Sequence, residues 1–265
     1  MRIPFTKAQG TGNDFVILWE EECPEIIRTP EFISAICARR LGVGADAVLV
    51  LSRVPNFDFK MDYYNSDGSW ETMCANGSRC AALYMHDRGF VGNSMKFITG
   101  DGPHRVEIVD ARHIRLQMTP PHYEIENIDV ADYQGSHVDS GAAHFVIEAP
   151  GFTREEVNPA APIIRNAKCF APRGVNVNFY QLLENNTVKV LTYEKGIERF
   201  MLSCGSGAVA AVYDATRKKH LSSPVTVRVP GGELQVEFDE NWREVWLNGP
   251  AVLLFHSTLQ TKDLL

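Results

Sequence analysis

Apolar positions in this chain come in short runs broken by glycine-bearing turns, the pattern of strands, with a few stretches at helical spacing. Residues 6–18 hold two apolar runs split by Gly10-Thr11-Gly12-Asn13-Asp14, which predicts a strand, a tight turn and a second strand. Phe32, Ile33, Ile36, Cys37 and Leu41 recur at helical intervals and predict a helix over 30–41, stopped by Gly42. Residues 45–51 read as a buried strand and 57–64 as a half-buried one, followed by the turn Asn65-Ser66-Asp67-Gly68-Ser69. A helix is expected after Cys74 to about residue 87, ended by Arg88-Gly89. Residues 95–99, 105–110 and 113–118 then predict antiparallel strands joined by short turns.

Thr119-Pro120-Pro121 marks a boundary, and the plan starts again beyond it. Strands are expected at 144–148, 175–183 and 188–193, with a helical region opened by 153–157. A helix follows Cys204 to about residue 219, and strands at 225–229, 234–238 and 244–247 close the half. Gly231-Gly232 is a turn between strands and not a phosphate loop, because no helix follows it. A shift of 130 residues sets Cys74 on Cys204, Phe15-Val16-Ile17 on Phe145-Val146-Ile147, Gly44 on Gly174, Tyr63 on Tyr193 and Gly77 on Gly207. A period near half the length is a duplicated domain. The expected fold is therefore α+β, in two pseudo-symmetric domains. Each is a strongly curved, mostly antiparallel sheet around a central helix, with an active-site cleft between them. The halves are 1–118, with 250–265 returning to it, and 119–249.

Composition narrows the class. The 265 residues are 45% hydrophobic and 22% charged, an ordinary globular balance. A net charge of −7 and the lack of a basic run argue against nucleic acid as a partner. No apolar stretch reaches membrane-spanning length, and Met1-Arg2-Ile3-Pro4-Phe5 lacks the core of a signal peptide, so a cytoplasmic location is expected. The six cysteines form no CxxC pair, so neither a zinc site nor a thioredoxin-type motif is signalled, and no metal is expected.

Chemistry concentrates at two of those cysteines. Cys74 and Cys204 each stand just before small residues that open an Ala-rich helix. A helix start offers unpaired backbone N–H groups and partial positive charge, which pull a thiol toward thiolate and can hold a carboxylate. Two related halves would present one thiol from each side of a shared cleft, which suits moving a proton from one face of a carbon to the other. The bland alternative is that each cysteine merely fills the start of a helix. Symmetry disfavours that for the pair. A regulatory disulfide between them is a further alternative, but no resolving motif supports it.

Several segments together resemble the diaminopimelate epimerase family. They are Gly10-Thr11-Gly12-Asn13-Asp14-Phe15, Arg40-Leu41-Gly42-Val43-Gly44-Ala45-Asp46, Tyr64-Asn65-Ser66-Asp67-Gly68-Ser69, Met73-Cys74-Ala75-Asn76-Gly77-Ser78-Arg79-Cys80, Gly174-Val175-Asn176-Val177-Asn178, and Tyr193-Glu194-Lys195-Gly196 followed by Cys204-Gly205-Ser206-Gly207-Ala208. They run in the family's order from residue 5 to about 255. The resemblance implies a cofactor-independent epimerase in which Cys74 and Cys204 are the acid–base pair. It implies substrate contacts at Asn13, Asp46, Asn65, Ala75, Asn76, Asn176, Glu194, Lys195, Gly205 and Ser206. Asn65, Asn176 and Lys195 match the positions that would take the distal head of diaminopimelate. The expected partner is a small amino acid, the expected assembly a homodimer, and the expected cofactor none.

Two departures bear on the substrate. Many family members have Gly-Asn-Pro-His where this chain has Gly141-Ala142-Ala143-His144, and Glu-Arg-Gly where it has Glu194-Lys195-Gly196. Lysine keeps the charge but loses the planar fork that grips a carboxylate at two points. A racemase of another amino acid on the same scaffold is thus the rival reading. A proline-racemase-like or phenazine-pathway-like isomerase and a non-enzymatic binding protein are more distant. His144 and Glu194 flank the site and could tune the thiols by accepting or sharing a proton, or His144 could be a hydrogen-bonded structural residue. Cys80, six residues after Cys74, is expected in the core, and Arg79 is expected to cap or pair structurally.

Overall fold

The helices that follow Cys74 and Cys204 are each wrapped by strands of their own half. The computed structural model describes residues 2–219, 221–260 and 264. It divides the chain into two units, Met1–Leu116 with Gly249–Leu265, and Gln117–Asn248. The first unit runs β1 (Arg2–Gly10), β2 (Asn13–Trp19), α1 (Pro30–Cys37), β3 (Ala47–Ser52), β4 (Phe59–Asn65), β5 (Trp70–Glu71), α2 (Ala75–Asp87), β6 (Ser94–Thr99), β7 (Gly102–Ile108) and β8 (His113–Met118). β1 and β2 form a hairpin whose two loop residues, Thr11 and Gly12, both have positive φ, the left-handed pair that matches strand twist. β2 pairs parallel with β3 and β4 parallel with β6, while β3–β4, β4–β5, β6–β7 and β7–β8 are antiparallel.

β2 and β3 are near-continuous apolar runs because both faces are covered. Val16, Leu18, Val48 and Val50 pack with Ile33 and Ile36 of α1. On the other face Leu49 lies against Gly77 of α2, where a Cβ would come within 3.0 Å of it. α2 touches β1, β2, β3, β4 and β7, and every residue from Ala75 to Ala82 is buried. A helix enclosed this way needs small side chains, hence its alanines.

The second unit repeats this order: β9 (His122–Val130), β10 (Tyr133–Asp139), β11 (Ala143–Glu148), α3 (Arg154–Val157), α4 (Ala161–Arg165), β12 (Asn176–Leu183), β13 (Thr187–Glu194), β14 (Arg199–Phe200), α5 (Gly205–Lys219), β15 (Val225–Val229), β16 (Gly232–Phe238) and β17 (Val245–Pro250). Here too the exceptions to antiparallel pairing are β11 with β12 and β13 with β15. Thr153 starts α3 with a reciprocal capping box to Glu156. α5 touches β10, β11, β12, β13, β15 and β16. It buries Asp214 completely, and that charge is matched. The hydroxyls of Tyr123 and Tyr180 donate to it at 3.0 and 2.8 Å, and Lys218 pairs with it at 3.0 Å. Burial and this carboxylate push both phenols above their ordinary range.

The last strand, β18 (Val252–Gln260), returns to the first unit and pairs antiparallel with β1. In the second unit β9 makes the same pairing with β10. β9 and β18 are nine residues each and stand 130 residues apart. The protein is thus a mixed α/β molecule, mostly sheet, built twice.

Two expectations need correction. β9, β10 and β18 were not signalled by the apolar pattern, since β9 and β18 are largely exposed. The helix expected over 30–41 ends at Cys37. The N–H groups of Val43 and Gly44 both donate to the Ile36 carbonyl, closing a loop over residues 38–44 that leaves Leu41 86% exposed. Arg39 is freed from the helix for another task.

Candidate active site

In the first unit Cys74 is the N-cap of α2, in extended conformation, and its Sγ accepts weakly from the Gly77 N–H at 3.5 Å. Its thiol reaches Asn13 Oδ1 at 3.8 Å, and Asn76 Nδ2 donates to the same oxygen at 3.3 Å. Asn13 and Asn76 are both buried. The Asn13 amide is oriented from behind, because its Nδ2 donates to Asp46 Oδ2 at 2.9 Å. With its nitrogen held there, its carbonyl oxygen must face Cys74.

Asp46 is itself held. Arg39 donates to Asp46 Oδ1 at 2.7 Å and to both oxygens of Asp14 at 2.8 and 3.0 Å. Lys7 adds an ion pair to Asp14 at 2.6 Å and a short bond to the Gly44 carbonyl. Burial raises the Asp14 carboxyl, but the hydrogen bonds and charges of Arg39 and Lys7 outweigh it and hold it at about 2. Asn65 ends β4. Its Oδ1 accepts from the Tyr63 hydroxyl at 2.9 Å, and its Nδ2 donates to Ser69 Oγ at 3.1 Å.

The second unit surrounds Cys204 with a neutral chain of hydrogen bonds. Thr192 Oγ1 donates to Asn178 Oδ1 at 2.7 Å, and Asn178 Nδ2 meets His144 Nδ1 at 2.8 Å. An amide NH2 can only donate, so Nδ1 accepts and the imidazole proton sits on Nε2. From there it is given to Ser206 Oγ at 3.0 Å, and Ser206 Oγ lies 3.6 Å from Cys204 Sγ. The chain therefore delivers a hydroxyl hydrogen toward the sulfur. Ser140 Oγ donates to the Ser206 carbonyl at 2.9 Å. Burial, only partly offset by the Asn178 bond, pulls His144 down to about 3 and keeps it neutral. The proton-accepting role expected of His144 is the one its burial opposes. It reaches the sulfur only through Ser206.

Gly207 is where this packing is tightest. A Cβ there would collide with Asn178 Oδ1, lie 2.9 Å from Thr192 Oγ1 and 3.3 Å from Cys204 Sγ. Gly207→Ala is expected to cost about 1–3 kcal/mol of stability, the usual range for overpacking. It should also lower kcat/KM at least about tenfold, since ~1.4 kcal/mol of misplacement suffices for that. Thermal unfolding and steady-state kinetics on the variant check both. A Tm and a kcat/KM equal to wild type would mean that the chain behind Cys204 is slack.

The remaining predicted residues lie on the same scaffolds. Asn176 opens β12, with Nδ2 donating to the Ala143 carbonyl at 3.3 Å and Oδ1 accepting from the Lys195 N–H at 2.9 Å. Glu194 ends β13, and its carbonyl accepts from the Glu198 N–H at 2.8 Å. Ala75, and Gly205 with Ser206, form the first turns of α2 and α5. Arg39, Asn178 and Thr192 were not singled out from the sequence. Asn178 did lie within a quoted motif. Arg39 and Thr192 sit just outside theirs, and only the fold joins them to the site. Cys23, Cys37 and Cys80 are held as thiols by burial, at about 11, 12 and 12.

Comparison with known proteins fits this duplicated arrangement. A family model for diaminopimelate epimerase matches residues 5–124 and 136–254. Diaminopimelate epimerase of Aquifex aeolicus is 35% identical over 275 residues, covering 98% of this chain and 99% of that protein. This chain belongs to the diaminopimelate epimerase family. Diaminopimelate epimerase of Archaeoglobus fulgidus is also similar, 34% identical over all of this chain and 99% of its own. Among solved structures, a phenazine biosynthesis protein of the PhzF family from Bacillus anthracis superposes with a TM-score of 0.76 at 11% identity, covering 98% of this chain and 99% of that one. A probable proline racemase from Agrobacterium radiobacter gives 0.74 at 15%, covering 98% and 93%. At such identities these two share the fold alone with the family. Epimerases are isomerases, so the family is one of isomerases. Among the described residues no helix is long and apolar enough to cross a membrane.

Proposed function

We propose that this protein interconverts LL- and meso-diaminopimelate by two-base proton transfer at the α-carbon, supplying lysine and peptidoglycan precursors. One observation carries the reading. Cys74 and Cys204 occupy the same place in the two units, each directly ahead of the first turn of a buried helix. The reading requires both sulfurs to reach one α-carbon from opposite faces. A thiolate then takes the α-proton and becomes a thiol, while the C–H electron pair stays on the α-carbon and spreads into its carboxylate. The opposite thiol gives its proton to the other face and becomes the thiolate. The N–H groups that open α2 and α5 offset the charge that builds on the carboxylate. The chain Thr192–Asn178–His144–Ser206 positions one sulfur, and Asn13 with Asn76 the other.

The second reading, a racemase of a different amino acid, draws on Ala142 and Lys195. A lysine in place of a bidentate arginine weakens a carboxylate contact by about 1 kcal/mol, or several-fold in KM, and a missing amide costs about as much again. That slows diaminopimelate without barring it. Deuterium incorporation at the α-carbon in D₂O tests both readings. LL-diaminopimelate is expected to exchange and invert with a higher kcat/KM than glutamate, aspartate, lysine or histidine. If one of those single-headed amino acids is faster, the substrate assignment passes to it.

A further inference from the structure

An asparagine side chain has two ends of nearly equal size and opposite chemistry. The carbonyl oxygen accepts, the amide nitrogen donates, and either can be turned toward a neighbour. For Asn13 that choice is made by groups that have none. Arg39 can only donate, and it occupies Asp46 Oδ1 at 2.7 Å. The Asp46 carboxylate accepts, and its Oδ2 takes Asn13 Nδ2 at 2.9 Å and the Asp14 N–H at 3.4 Å. From the other side Arg79, fully buried, donates through Nη2 to Asn76 Oδ1 at 2.9 Å. That turns Asn76 Nδ2 toward Asn13 Oδ1, at 3.3 Å. The oxygen of Asn13 is therefore the atom that meets the Cys74 thiol, at 3.8 Å.

The two holds on Asn13 are unequal. The bond from Asn76 is long and neutral, whereas the one to Asp46 is shorter and charge-assisted. The duplication shows what this place becomes when there is no amide to orient. The shift that sets Cys74 on Cys204 sets Asn13 on Ala143 and Asp46 on Asn176. Asn176 uses both of its ends, Nδ2 on the Ala143 carbonyl at 3.3 Å and Oδ1 on the Lys195 N–H at 2.9 Å. The carboxylate thus stands in the unit that has an asparagine to aim. The two-ended amide stands in the unit that has alanine there.

We propose that Asp46 is a positioning residue that acts on Cys74 through Asn13, keeping the carbonyl end of that amide against the sulfur, and not by touching substrate. The consequence for catalysis rests on the two-base reading. An acceptor fixed opposite the thiol holds its S–H in one direction. With Asp46 gone, Asn13 is left to its longer bond with Asn76, and a turned amide sets N–H groups against the sulfur instead. An acceptor beside a thiol favours the protonated form and a donor favours the thiolate. Arg39 serves the same end at one remove, by holding Asp46.

A double-mutant cycle over Asp46 and Asn13 tests this, because a residue that acts through another loses its effect when that other is gone. Asp46→Ala is expected to lower kcat/KM for D₂O exchange at least about tenfold, the effect of one lost charge-assisted bond. In an Asn13→Ala background the same change should matter less than about twofold. Asp46→Asn, which still accepts with one atom, should lose less than Asp46→Ala. Without substrate, Cys74 should react with iodoacetamide at pH 7 at least about threefold faster in Asp46→Ala than in the wild type, as more of it becomes thiolate. That gain should shrink in the Asn13→Ala background, while Cys204, followed in the same digest by peptide mass spectrometry, stays unchanged. An Asp46→Ala effect of equal size in both backgrounds, in either assay, would overturn the proposal, as would a variant indistinguishable from wild type. Should Asp46→Ala fail to fold, Asp46→Asn takes its place in the cycle, since the second unit already carries asparagine at this position. Failure of every amino acid to exchange deuterium would count against the epimerase reading, and the alkylation cycle would then decide the role of Asp46 alone.

Discussion

Cys74→Ala and Cys204→Ala are each expected to lower kcat for epimerisation by about 10³-fold or more, while the protein stays folded. A positioned acid or base supplies about 10²–10⁴ in rate, and two-base transfer cannot complete an inversion with either one missing. The folds should survive for separate reasons. The contacts that Cys74 makes with the Gly77 N–H and with Asn13 are long, at 3.5 and 3.8 Å, so their loss costs about 1 kcal/mol. Cys204 is a buried small side chain next to Ser206, and alanine removes one atom there. Serine at either position keeps a hydroxyl that relays a proton weakly, so a residual rate above the alanine variant is expected. Circular dichroism and the D₂O exchange assay together check this. Full turnover by Cys74→Ala would end the two-base account.

The second large effect is on stability toward acid. His144 has an ordinary pKa of about 6.5 when unfolded, whereas in the fold its burial depresses it to about 3. Between those values the unfolded chain binds a proton that the folded chain does not. Stability therefore rises with pH across this window and falls as pH drops, with a slope approaching about 1.4 kcal/mol per pH unit. Over the window this amounts to on the order of 4 kcal/mol. Partly buried His137 is depressed for the same reason and adds in the same direction. Asp14 acts lower down. Its folded value of about 2 gives stability that is present above ~4 and lost as pH falls toward 2. Urea unfolding at pH 7, 6, 5 and 4 separates the histidine from the carboxylate. His144→Gln should flatten the curve between pH 6 and 4 and also slow turnover, because its chain to Ser206 is broken. If wild type and variant lose stability in parallel, His144 is not held neutral.

Much of this molecule was legible because local and global signals agree. The cysteine before an alanine-rich helix, the glycine turn at Thr11-Gly12 and the 130-residue shift each point to the same doubled unit. What escaped was set by tertiary context. β9 reads His-Tyr-Glu-Ile-Glu-Asn-Ile-Asp-Val, and with most of its side chains in solvent it carries too few apolar residues to announce a strand. The helix over Pro30–Cys37 looked longer because Leu41 keeps its period. Its end was decided by the Ile36 carbonyl taking two loop N–H groups and by Arg39 turning to Asp14 and Asp46. Within the site, Asn13, Asn76 and Ser206 were readable from motifs. The groups that aim them, Asp46 with Arg39 and Asn178 with Thr192, depend on partners 7 to 33 residues away. Arg79 was visible as a residue, but its complete burial, with Thr11, Asn76 and the Ala75 carbonyl as hydrogen-bond partners, is a fact only of the packed core.

The return of β18 to β1 has a consequence for the order in which the protein is made. The second unit is one uninterrupted stretch, Gln117–Asn248. The first unit opens with β1 but takes its outermost strand from residues 252–260, which are made only after the whole of the second unit. At about 5–20 residues per second, β1 waits on the order of ten seconds on the ribosome without the partner that will cover its edge. The usual rule that the N-terminal domain matures first is inverted here. The half that carries Cys204 can be complete while the half that carries Cys74 is still open along β1, a strand whose N–H and C=O groups remain a pairing surface until residues 252–260 arrive to cover them.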